Sequence, residues 1–162
     1  MTMKNKFKQM IEKKDNLHLA PVVIGKLLNI GGILQRNGDR MLLPYNLNQQ
    51  QFSIFFEIAK AEKVRQKDIV NRLMLEKAHI SKVVKKLQDM ELVIITASDE
   101  DKRSFWLSVT EKGRGVLDEC MAIFDEWNRD WLSAIDTKQL ASIVENLDML
   151  QSVFKSKTKV NR

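Results

Sequence analysis

Between Lys67 and Thr110 the hydrophobic rhythm of the chain changes, and that change constrains the fold more than any other feature. Apolar residues at Ile69, Val70 and Leu73, then at Ile80, Val83, Val84, Leu87 and Met90, recur at helical spacing, with Met74-Leu75-Glu76 as a tight turn between them. The period then falls toward that of a strand. Leu92 to Ala97 is a short β-branched run, Ser98 to Arg103 is a charged turn, and Ser104 to Val109 alternates. In that last run Phe105, Leu107 and Val109 share one face, and Ser104, Trp106 and Ser108 share the other. The order predicts a helix-turn-helix followed by a two-stranded wing.

The flanks read as helices. Met1 to about Leu19 is lysine-rich and only faintly periodic, a loose arm or a first short helix. Pro21, favoured in a first turn, opens a helix carrying Val23, Ile24, Leu27, Leu28, Ile30, Ile33 and Leu34. Gly25 and the pair Gly31-Gly32 lie inside it, each costing about 1 kcal/mol relative to alanine. They predict a kink or a close helix contact, or else a wall shaped around a ligand. Leu43-Pro44-Tyr45-Asn46 breaks the pattern, and Asn48 with Gln51 forms a capping box for a core helix bearing Phe52, Phe55, Phe56 and Ile58. Thr110 caps a long helix reaching Trp127 or Trp131, with Leu117, Cys120, Met121, Phe124 and Trp127 inward. Asp136 with Gln139 is a second capping box, opening a last helix with Leu140, Ile143, Val144, Leu147, Leu150, Val153 and Phe154. The fold class is therefore mainly α (α+β). Its regions are an arm and first helix over 1–47, a winged helix-turn-helix over 48–109, and two closing helices with a basic tail over 110–162, in a single compact fold.

Several function classes are set aside by what the sequence lacks. A chain of 162 residues makes one domain with a core of its own. The single cysteine, Cys120, permits no internal disulfide, and with only His18 and His79 a histidine-rich metal centre is not expected. No uninterrupted apolar run approaches the roughly 20 residues of a membrane span, and no signal sequence follows the basic N-terminus, so a cytoplasmic protein is expected. The glycine-rich, metal-binding and nucleophile motifs of the common enzyme classes are missing, which predicts a non-enzyme without cofactor or metal. Cys120 sits on an apolar stripe and reads as a buried, inert thiol.

Lysine and arginine total 27 against 21 aspartate and glutamate, a net charge of +6 that favours a polyanionic partner. The position of the charge is more informative. With the apolar positions of the second helix turned inward, Ala78, His79, Ser81, Lys82, Lys85 and Lys86 face outward. Small and polar residues at the N-terminal end suit base edges, and lysines along the length suit phosphates on the walls of a major groove. Lys67, at the start of the preceding helix, joins this candidate DNA-binding set. At the wing tip Asp101-Lys102-Arg103 puts a carboxylate two residues before an arginine, where Asp101 can hold Arg103 extended into a minor groove.

These residues carry a resemblance. Asp101-Lys102-Arg103 followed by Leu107, Val109-Thr110 and Gly113 resembles the wing and following helix entry of the MarR family of winged-helix transcriptional regulators. Leu47-Asn48-Gln49-Gln50-Gln51 is similar to that family's entry to its second helix, and Ser81-Lys82 stands in place of its Thr-Arg pair. The chain departs from the pattern at Asn46 and Glu91, which replace glycines, at Gln66, which replaces a serine or threonine cap, and at Ile95, which replaces a cation on the first wing strand.

The resemblance implies a homodimer whose N- and C-terminal helices interlock, with two recognition helices about 34 Å apart on palindromic double-stranded DNA. It implies repression, relieved by a small aromatic or phenolic effector lying between the dimer helices and the winged helix. Leu27, Ile30, Gly31, Phe55, Met121 and Trp127 are the candidate pocket residues. The alternative is a small-molecule sensor or a protein-interaction module on a winged-helix scaffold with weak or no DNA binding.

Overall fold

Pro21 lies in the first turn of α1 (Ala20–Leu42), which follows a 3-10 turn at Asn16–Leu19. The computed structural model describes residues 16–97 and 105–160, and the chain divides into two compact units, residues 1–118 and 119–162. In α1, a Cβ at Gly25 or Gly31 would meet nothing within 4 Å, so the close contact expected at those glycines has no neighbour among the described residues. The close approach occurs instead at Gly38, where a side chain would collide with the amide of Gln49. The same corner is fastened by the Gln49 backbone N–H, which donates to Asp39 Oδ1 at 2.7 Å.

The stretch Leu17–Tyr45 corrects one expectation. It is a helix of sufficient length, and an 18-residue window within it, with a mean hydropathy of 1.6, is apolar enough to cross a membrane by length and composition alone. No unbroken apolar run marks it, because His18, Lys26 and Asn29 interrupt the window without removing its average character.

A 3-10 turn at Leu43–Tyr45 ends on Asn46 in the left-handed region (φ 54°), and the chain re-enters helix as α2 (Gln49–Ala59). The predicted capping box is present. Gln51 N–H donates to Asn48 Oδ1 at 2.8 Å, and Asn48 N–H donates to Gln51 Oε1 at 3.2 Å. Beyond it lie β1 (Val64–Arg65), α3 (Gln66–Leu73), α4 (Lys77–Asp89), β2 (Val93–Ala97) and β3 (Phe105–Val109). The strands form an antiparallel sheet in the order β1-β3-β2, with Val64 opposite Leu107 and Ile95 opposite Leu107 on the other side. The expected two-stranded wing therefore has a third strand. Two residues are too few to show any periodicity in a sequence.

The core of the first unit is Leu42, Ile54, Phe55, Ile58, Ile69, Ile80, Leu87, Leu92 and Leu107, each less than 2% exposed. Within it α4 packs on α2, α3 and β2. Helix α5 (Glu111–Leu132) starts in the first unit and ends in the second, where α6 (Thr137–Val160) follows. Asp136 caps α6 by accepting from Lys138 and Gln139 N–H at 2.9 Å, and its own N–H donates to Gln139 Oε1 at 3.3 Å. The side chains of Ile143, Val144, Leu147, Met149, Val153 and Phe154 are exposed along α6.

Candidate nucleic-acid interface

The turn between α3 and α4 is made by Met74 in the left-handed region (φ 53°), which stops α3 and lets α4 set off in a new direction. Helix α4 buries Ile80, Val83, Val84 and Leu87, the face its spacing predicts. Opposite them Ala78, Ser81, Lys82 and Lys85 are exposed together, and Lys67 is exposed on the first turn of α3. Lys85 is also in an i,i+4 pair with Asp89 at 2.6 Å. His79 is half-buried, and its Nε2 is covered without a hydrogen-bond partner among the described residues. Asp101, Lys102 and Arg103 lie outside the described residues.

Lys86 has a more specific placement than the sequence reading gives it. It is half-buried, and its ammonium donates to the Asn46 carbonyl at 2.5 Å and to Gln51 Oε1 at 2.9 Å. This lysine ties α4 to the corner where α1 ends and α2 begins. Its partners lie 40 and 35 residues away, so no local pattern announces them.

Further braces tie α3 to its neighbours. Gln66 Nε2 donates to Ser81 Oγ at 2.6 Å, joining α3 to α4. Glu57, buried on α2, pairs with Lys60 one turn on and with Arg72 of α3 at 3.4 Å. Burial pushes the Glu57 carboxyl up, but the hydrogen bonds and charges of Lys60 and Arg72 outweigh it and hold the pKa below the ordinary value. The Arg65 guanidinium lies 4.6 Å from the centre of the Trp106 ring, its cross-strand partner in the sheet.

The wing is fixed at its base by Thr110 and Gly113. Thr110 Oγ1 donates to the Glu91 carbonyl at 2.7 Å and accepts from Gly113 N–H at 2.8 Å, capping α5 while holding the start of β2. A Cβ on Gly113 would overlap the Leu92 carbonyl oxygen, so only glycine lets α5 leave the wing at this distance. Glu91 occupies the left-handed region (φ 63°) after α4, and its carboxylate pairs with Lys112 at 3.0 Å.

The MarR family profile matches residues 45–104, the segment from the end of α1 to the wing. The regulator BilQ of Clostridioides difficile is 24% identical over 115 residues, covering 71% of this chain and 78% of that protein. MepR of Staphylococcus aureus, solved in complex with DNA, superposes with a TM-score of 0.71 at 18% identity, covering 78% of this chain and 94% of MepR. MarR of Staphylococcus aureus, solved with salicylate and kanamycin, gives a TM-score of 0.76 at 20% identity, covering 86% and 95%. Over that segment the chain matches the MarR family, and as a whole it shares the fold of these regulators.

The fold places the candidate pocket residues unevenly. Phe55 is fully buried in the first unit, Leu27 is half-buried on α1, and Ile30 and Gly31 are exposed there. Met121 and Trp127 are half-buried on α5. None of the six lines the cavity of about 240 Å³ formed by Tyr45, Met90, Leu92, Lys112 and Val116. Cys120 is fully buried, and burial, with the negative charge of Glu119 adding to it, pushes its thiol up to about 11. A thiol so far from ionising is a poor nucleophile, as its place on an apolar stripe predicts. Among the described residues no cluster of histidine, cysteine and carboxylate side chains is arranged to hold a metal.

Proposed function

We propose that the chain is a MarR-family transcriptional regulator that acts in the cytoplasm as a homodimeric repressor, binding palindromic double-stranded DNA. In this reading α4 of each copy enters the major groove and Arg103 of each wing enters the adjacent minor groove. The observation that carries it is the outer face of α4, where Ala78, Ser81, Lys82 and Lys85 are exposed on a helix whose opposite face is buried. The relative crystallised with DNA supports the same use of the scaffold.

The regions 1–47 and 110–162 supply the dimer interface. The exposed apolar residues Ile24, Leu28, Ile30, Ile33 and Leu34 of α1, and those of α6, support this, because a second copy covers such surface at no cost in buried polar groups. A small aromatic or phenolic anion releases the DNA by favouring a different spacing of the two reading helices. The relative captured with salicylate supports that part.

Retardation of random-sequence duplexes at low salt, followed by a salt titration, tests the reading. Binding is expected to fall steeply with salt. Lys82→Ala is expected to lower the log–log slope by about 1, and Arg103→Ala to weaken binding, both with the thermal midpoint nearly unchanged. Sedimentation without detergent is expected to give twice the 18.8 kDa chain mass. The engagement of Lys85 with Asp89 and of Lys86 with Asn46, together with an uncharged Ile95 on the first wing strand, favours one rival: a ligand sensor that does not bind DNA. A chain that retards no duplex at low salt selects that rival.

A further inference from the structure

We infer that Ser81 acts in DNA recognition purely as a hydrogen-bond acceptor, so that it reads the exocyclic amino group of adenine or cytosine, and that Gln66 is the residue positioning it for this. The inference rests on α4 lying in the major groove, as proposed above. A serine hydroxyl has one hydrogen to donate and two lone pairs with which to accept. The Ser81 hydrogen is spent on the Lys77 carbonyl at 2.9 Å, one turn back in α4. One lone pair is spent on Gln66 Nε2, which donates at 2.6 Å from the first turn of α3. The orientation of the Gln66 amide follows from its surroundings. Nε2 also faces the Lys77 carbonyl at 3.5 Å, where the amide oxygen would meet a second oxygen.

One lone pair remains on an exposed side chain. In the major groove adenine N6 and cytosine N4 present donors, whereas guanine O6 and N7 and thymine O4 present acceptors. A serine with both its functions free serves either kind of base edge. Ser81, with its hydrogen committed, pairs with an amino group and meets guanine or thymine lone pair to lone pair. Helix α3 gains no cap from Arg65, its N-cap residue, and the Gln66 side chain reaches across the turn to α4.

The test is selection of bound sites from random duplexes by the full chain and by Ser81→Ala, Ser81→Thr and Gln66→Ala. The wild-type chain is expected to restrict one position of each half-site, on one strand, to adenine or cytosine. Ser81→Ala is expected to lose that restriction alone, Ser81→Thr to keep it, and Gln66→Ala to relax it by removing the N–H that keeps the hydroxyl hydrogen turned toward the Lys77 carbonyl. Replacing the selected base by its analogue without the amino group should weaken wild-type binding about two- to tenfold and leave Ser81→Ala unchanged. A merely structural role for either residue would shift overall affinity without touching base identity at a single position. Identical selections by the wild-type and Ser81→Ala chains, or a restriction that persists in Gln66→Ala, overturn the inference while leaving DNA binding intact. Failure of the wild-type chain to retain any duplex overturns the inference together with the function it rests on.

Discussion

Helices α4 and α6 carry the same kind of apolar spacing and reach opposite outcomes. In α4 the side chains of Ile80 and Leu87 are 0% exposed, whereas in α6 Val144 is 57% and Leu147 is 45% exposed. The face of α4 is covered inside its own unit by α2, α3 and β2. A periodic stripe records that a helix has an apolar side and carries no record of which surface covers it. In the proposed dimer the winged helix-turn-helix is self-sufficient and the exposed stripes of α1 and α6 depend on a second copy.

Four substitutions break or sharpen that contrast. The largest effect is expected for Leu87→Ala, which should cost about 2–5 kcal/mol of unfolding free energy in a denaturant titration, at any protein concentration. Gly113→Ala should cost about 1–3 kcal/mol by the same measurement, because its Cβ must displace the Leu92 carbonyl or the Val109 side chain. Leu147→Ala should instead weaken self-association about tenfold in sedimentation equilibrium, and its thermal midpoint should depend on protein concentration. A concentration-independent loss there would remove the contrast between the two helices. Smallest is Glu91→Gly, expected to raise unfolding free energy by about 0.5–1 kcal/mol. Glycine relieves the left-handed backbone at a cost limited to an exposed ion pair with Lys112.

The parts of the fold that the sequence discloses are those whose partners lie within a turn or two. Both capping boxes, at Asn48 and Asp136, link residues three apart, and the buried face of α4 follows from spacing alone. The wing strands are legible because alternation in Phe105–Val109 is a five-residue signal, whereas β1 has two residues and no signal. The family's glycine after the wing is recognisable as a pattern, but its reason is the Leu92 carbonyl, 21 residues earlier in the chain. The candidate site divides in the same way. That Ser81, Lys82 and Lys85 face outward is a matter of helical phase. That Lys86 is a tether, and that Gln66 holds the Ser81 hydroxyl, depends on which distant atoms arrive beside them.

The grip of Lys86 has a mechanical consequence. One ammonium holds both the residue on which the chain turns after its first long helix and the amide that opens the next, and its stem rises from the far half of α4. The tilt of that helix is thereby anchored to a point outside the helix itself. Beside the packing of α4 on α2, rotation of the Asn46 corner has one direct polar link to the far end of the surface proposed to meet DNA, as a rudder is worked by its linkage.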